Sequence, residues 1–174
     1  MRSLLLASSL VLATFGAGSA FAQSPNAPAA ANTGAQARVA TTPTQDVSPA
    51  AKEAVKVVND FMGALASGQL EAARQFMTAD AVVMANGNVL GQRDAYIDGA
   101  AKGDSAALRG VQRELLARQA KVGSDIAWVV SEKRVSAVGA TGGPSEVVIE
   151  TMLLGKTPAG WKITHIHWSG RHAG

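Results

Sequence analysis

Cysteine is absent from all 174 residues. That excludes a thiol nucleophile, thiolate ligation of zinc and the modified cysteine of a lipid anchor. It also excludes disulfides, so the apolar core alone must hold whatever folds. Aromatic residues make up only 5% of the chain, with a single tyrosine, Tyr96. Neither sign of charge dominates: 16 Lys and Arg face 13 Asp and Glu, a formal net charge of +3. No basic run occurs, and the aromatics do not interleave with Lys or Arg, so nucleic acid is not an expected partner. The strongly apolar run Leu4 to Phe15 is shorter than the roughly 20 residues a spanning helix needs. No Gly-rich phosphate loop, Ser-His-Asp pattern or H-E-x-x-H pair is present, and no cofactor is expected.

What the first residues do contain is a targeting pattern. Arg2 is the charged start, Leu4 to Phe15 the apolar stretch, and Ala20-Phe21-Ala22 the small-x-small cleavage site. Residues 1–22 are expected to be a signal peptide cut before Gln23, leaving a periplasmic or secreted protein with no membrane attachment. Without Arg2 the balance is 15 basic to 13 acidic residues. Residues 23–47 are Ala, Pro, Thr, Asn and Gln with Arg38 and Asp46 as their charges. Such a stretch buries too little apolar surface to offset its ordering entropy, so it reads as a disordered linker. Residues 48–174 are of one-domain size.

Within that domain Ser48-Pro49 signals a helix start, with a capping hydroxyl and Pro at the first turn. Ala51, Val55, Val58, Met62 and Leu65 recur at helical spacing, Phe61 widens the stripe, and Gly68 ends it. Leu70 to Met77 predicts a second, short helix. Ala81 to Ala85 and Asn88 to Leu90 flank Asn86-Gly87, the strongest two-residue hairpin signal. Gln92 to Ala101 predicts a third helix. Long strands follow at about Gly110–Val122, Ile126–Ala137 and Glu146–Leu154, with turns at Gly123-Ser124-Asp125 and Gly139 to Pro144. Glu, Leu, Ala and Arg in Val111–Arg118 favour helix on propensity.

The last strand, Trp161 to Ser169, is the most informative segment. By alternation Trp161, Ile163, His165, His167 and Ser169 share one face, and Lys162, Thr164, Ile166 and Trp168 the other. The first face runs from apolar to polar, as the lining of a half-buried pocket would. Two imidazoles pointing the same way suit acid/base work near neutral pH or ligand contact, and with Glu150 from the neighbouring strand they would suit a metal. They equally suit a hydrogen-bonded structural role at a sheet edge or an oligomer interface.

The ending G-W-K-I-T-H-I-H-W-S-G resembles the last strand of the nuclear-transport-factor-2-like superfamily, in particular its SnoaL-like branch. It is similar also to the W-x-x-x-H-x-H-x-S-G stretch of the calmodulin-dependent kinase association (hub) domain. The resemblance extends over roughly Pro49 to Arg171. It implies an α+β fold, a cone-shaped curved antiparallel sheet wrapped around N-terminal helices as in the cystatin-like or ketosteroid isomerase-like α+β barrel. It also implies the strand reading of Val111–Arg118. The open end of the cone is the family's pocket. Thr78 to Ala85 is similar to the stretch that carries the general base in the ketosteroid isomerases. The base position falls on Ala85, which cannot move a proton. Trp168 stands where the hub version has a pocket arginine.

The expected site is therefore His165, His167, Ser169, Glu150, Arg118, Tyr96 and Trp161, with His165 and His167 as candidate catalytic groups and no metal. Glu114 and Arg118 share parity on their strand, and Arg118 and Glu150 face either the cone or solvent. Tyr96, near Asp94 on the third helix, either donates into the pocket or packs with its hydroxyl at the surface. The expected activity is non-catalytic binding of a small, partly apolar molecule. The alternatives are an isomerase, hydratase or cyclase-like lyase acting through a pocket histidine on a polycyclic or aromatic substrate, and a structural oligomerisation hub. The family buries one sheet face between subunits, which implies a homodimer or larger homo-oligomer through Trp128, Val130, Ile166 and Trp168.

Overall fold

In the computed structural model, which describes residues 43–138 and 145–172, Ser48-Pro49 does open the helical region. Pro49–Ala51 is a 3₁₀ turn, and α1 follows as Lys52–Ala66. The Ser48 hydroxyl makes no capping bond; Ser48 acts through its carbonyl, which accepts from Ala51 N–H at 2.9 Å. Val58, Phe61, Met62 and Leu65 from the expected stripe are buried, while Val55 is half-buried. Each fully buried large side chain contributes roughly 1.5–3 kcal/mol. Gly68, at φ +77°, ends the helix with Gln69 N–H donating back to Ala64 O at 2.9 Å.

α2 spans Leu70–Gln75, two residues shorter than expected, because Met77 already begins β2 (Met77–Ala85). Asn86 and Gly87 both have positive φ, 47° and 80°, and return the chain as β3 (Asn88–Gln92). The single helix expected over Gln92–Ala101 is instead two. α3 is Arg93–Asp98, the chain breaks at Gly99, and α4 is Ala101–Arg109.

β4 (Val111–Val122), β5 (Ile126–Ala137), β6 (Ser145–Thr157) and β7 (Gly160–His172) form the expected antiparallel meander. Val111–Arg118 is strand: pairing with β5 over its whole length outweighs helix propensity. Two pairings depart from an antiparallel sheet. β2 joins β7 in parallel, and β1 (Thr44–Val47) joins β4 in parallel. The sheet is therefore mixed, with order β1-β4-β5-β6-β7-β2-β3, and unclosed rather than a barrel. The last four residues of the expected linker are thus strand, because the free edge of β4 offers backbone partners that composition does not reveal. Residues 1–42 and the expected turn at Gly139 to Pro144 lie outside the described residues.

The sheet curves over the helices, and α1 packs against β4, β5 and β7. Phe61, Leu65, Val83, Ile97, Val129, Met152, Leu154, Ile163 and Ile166 form the core between them.

Candidate functional site

Two one-residue bulges decide which side chains reach the concave side of the sheet. On β7, Ile163 pairs with Leu154 but His165 pairs with Leu153, so Thr164 is the extra residue. Side-chain parity reverses there. Trp161 and Ile163 point into the core before the bulge, and Ile166 and Trp168 do so after it. His165, His167 and Ser169 therefore do not share a face with Trp161, as alternation alone would have it. They lie on the convex side, half-buried, exposed and half-buried in turn, opposite half-buried Leu153 and Thr151 and exposed Ile149. His165 and His167 line neither of the two cavities described below. Glu150 points the other way, so a metal shared by the three is ruled out by geometry. Among the described residues, no group of three His, Cys, Asp or Glu stands close enough to hold a metal.

β4 repeats the device. Leu115 pairs with Lys133 and Ala117 with Glu132, leaving Leu116 as the extra residue. Arg113 and Leu115 point inward before it, Arg118 and Ala120 after it. Glu114 and Arg118 are thus on opposite faces, and Glu114 pairs with Arg134 outside at 2.7 Å.

The result is a cavity at the mouth of the cone with two parts. An inner slot is lined by Met62 and Leu65 of α1, Leu108 of α4, Val135 and Val148, with Arg113, Lys133, Glu150 and Trp168 completing it. It continues into an outer groove shared through Met62, Arg113 and Lys133 and extended by Asn59, Gly63, Val111, Leu115 and Arg118. The space open to the centre of a water molecule is about 40 Å³ in the slot and about 540 Å³ in the groove. The slot is narrow and the groove roomy.

Charge in this cavity is unevenly satisfied. Glu150 is 1% exposed. It accepts from Lys133 Nζ at 2.9 Å and from Trp168 Nε1 at 3.2 Å, so both its oxygens are engaged. Arg118 is 7% exposed; its Nε donates to Ser131 Oγ and its Nη1 to Asn59 Oδ1, both at 3.0 Å. Both partners are neutral. No carboxylate among the described residues lies within 4.0 Å of Arg118. Burial pulls the Arg118 guanidinium below its ordinary pKa, and the charge of Glu150 acts in the opposite direction.

Behind the slot lies a second buried pair. Tyr96, fully buried rather than turned to the surface, stacks at a tilt 6.1 Å from Trp168 and donates to Asp104 Oδ2 at 3.0 Å. Asp104 on α4 has no exposed surface, and its Oδ1 lacks a partner among the described residues. Burial pushes the Asp104 carboxyl up to about 6, against the lowering effect of the Tyr96 hydrogen bond. Burial, and then the Asp104 charge, raise Tyr96 well above 10.

Of the expected residues, the cavity brings together Glu150 and Arg118. Tyr96 and Trp161 are buried behind it; Trp161 sits at the opposite end of β7 from Trp168, under Lys156. Sequence reasoning missed Arg113, Lys133, Asn59 and Asp104. Lys133 was legible as a same-face neighbour of Ser131 and Val135. Arg113 was hidden by the bulge.

A family model for the SnoaL-like domain matches residues 55–171. The chain belongs to the SnoaL-like domain family. Among solved structures this SnoaL-like domain is similar to a proposed ketosteroid isomerase from Shewanella frigidimarina: 28% identity over 71% of this chain and 99% of that one, TM-score 0.64. An NTF2-like protein with a cystatin-like fold from Novosphingobium aromaticivorans is 24% identical, over 67% and 79%, at TM-score 0.54. A proposed calcium/calmodulin-dependent protein kinase type II association domain from Thiobacillus denitrificans is 15% identical, over 75% and 99%, at TM-score 0.54. The last two likenesses show the fold alone. No curated protein is similar enough in sequence to count as a relative.

Proposed function

We propose that this SnoaL-like domain binds a small, partly apolar molecule at the mouth of its cone and does not transform it. The observation that carries the reading is the small apolar slot opening onto a polar groove, with buried Glu150 in the slot and buried Arg118 in the groove. Apolar walls with a few fixed polar groups are the usual composition of a small-molecule site. Two features support binding over catalysis. The carboxylate in the slot, Glu150, is already committed to Lys133 and Trp168. Ala85, at the position the ketosteroid isomerases use for their base, is a buried core residue.

Native mass spectrometry of the protein purified from its own host tests this. An adduct of a few hundred daltons that dissociates on unfolding is expected; bare protein, with no thermal shift across a small-molecule library, overturns the reading. We propose also that the mature chain begins at Gln23 in the periplasm or medium, which N-terminal sequencing checks. Self-association through the convex sheet face belongs to the same reading. Half-buried Trp128, Val130 and Leu153 and exposed Ile126 and Ile149 supply its apolar surface. Ile166 and Trp168, assigned to that face by alternation, are core residues instead.

A further inference from the structure

We infer that the molecule held at the cone mouth is a monoanion, a linear alkyl carboxylate whose head group docks on Arg118 and whose tail enters the slot. The inference rests on the binding reading above and adds the chemistry of the ligand.

Four charged residues line the slot and groove: Arg113, Arg118, Lys133 and Glu150. Glu150 neutralises Lys133. Arg113 is exposed, so water screens it. Arg118 is the remaining charge: buried, lining the groove, and bonded through Nε and Nη1 to neutral oxygens only. The charge of Glu150 acts on Arg118 only from beyond hydrogen-bonding reach and is shared with Lys133; a buried cation so partly compensated is costly, and an anion supplied by a ligand removes that cost. Guanidinium presents parallel N–H donors in a plane, the geometry that a carboxylate accepts in pairs. Ser131 and Asn59 fix the orientation of that plane before any ligand arrives, so little side-chain entropy is lost on binding. The apolar walls of Met62, Leu65, Val135 and Val148 lie past the shared Arg113 and Lys133, inside a slot of small free volume. A flexible chain of methylenes fits both conditions. A second anionic group would meet the committed oxygens of Glu150, which disfavours dicarboxylates.

Isothermal titration with octanoate, octanol and octylamine at matched ionic strength tests the inference. Octanoate should bind at least tenfold tighter than octanol, octylamine should not bind, and octanoate affinity should fall with added salt. Arg118→Gln should bring octanoate down to the level of octanol. Arg113→Gln, at an exposed position on the rim of slot and groove, should weaken octanoate about threefold and keep its preference over octanol. If octanol binds as tightly as octanoate, or octylamine binds best, the anion inference falls while the binding reading stands. If none of the three binds the wild-type domain, the alkyl-carboxylate inference falls, and the library screen decides the binding reading separately. Circular dichroism separates a misfolded Arg118→Gln from an informative one, and in the former case the salt dependence and Arg113→Gln decide.

Discussion

A carboxylate with no exposed surface and one unbonded oxygen is a destabilising choice at neutral pH. Asp104 is such a group, and its folded pKa of about 6 stands above the unfolded value near 3.9. The native state therefore binds the proton more tightly than the unfolded chain does. Stability from this residue is fully present below about pH 4 and is lost as pH rises through 6. We predict that urea denaturation at pH 4.5 and pH 8 shows this term as about 2–3 kcal/mol, and that Asp104→Asn, which mimics the protonated form, removes it. Glu150 presents the opposite situation, a buried carboxylate with both oxygens satisfied. Glu150→Ala strands Lys133 without a counter-charge and Trp168 without an acceptor, and should cost about 3–5 kcal/mol. Glu150→Gln retains an acceptor for Trp168 and should cost less; the two urea midpoints check this.

At the level of elements, local signals worked wherever a single residue type forces the backbone. Gly68, Asn86-Gly87 and the turn at Gly123-Ser124-Asp125 all end elements where the sequence places them. Gly68→Ala should destabilise by about 1–2 kcal/mol, since φ +77° is strained for alanine and its Cβ would approach Arg109 Nη1 to 2.8 Å; a thermal melt measures it. Of the meander strands, Ile126–Ala137 and Glu146–Leu154 were legible as β-branched runs, whereas Val111–Val122 reads as strand mainly through the family resemblance, against its helix propensity. Less of the site was legible. Alternation places His165 and His167 in a pocket only if β7 is regular, and nothing in Ile163-Thr164-His165 announces an extra residue. Bulges are set by the register of neighbouring strands, a tertiary property. α4 escaped notice because Gly103, Asp104 and Ser105 interrupt its helix formers, and its contacts with α1 and α3 stabilise it. β1 was hidden for the same reason, its pairing being supplied by β4.

For the molecule as a whole, the sheet has one face filled by α1 and another carrying Trp128, Val130, Leu153, Ile149, His165 and His167. Light scattering at micromolar concentration should report a homodimer or larger, and Trp128→Asp together with Ile149→Asp should shift it to monomer without moving the thermal midpoint of the cone by more than about 1 kcal/mol equivalent. A monomer in the wild type defeats that expectation.

The extra residue at Thr164 has an evolutionary implication. Everything C-terminal to it on β7 faces opposite to an unbroken alternation, so loss of that one codon would leave a regular strand with Trp168 still inside the cone and both imidazoles still outside. Point substitution explores pocket chemistry one side chain at a time. A one-residue change of length taken up at the bulge leaves the whole row facing as before, which gives this fold a place beside its cavity where chain length can vary while the lining is kept.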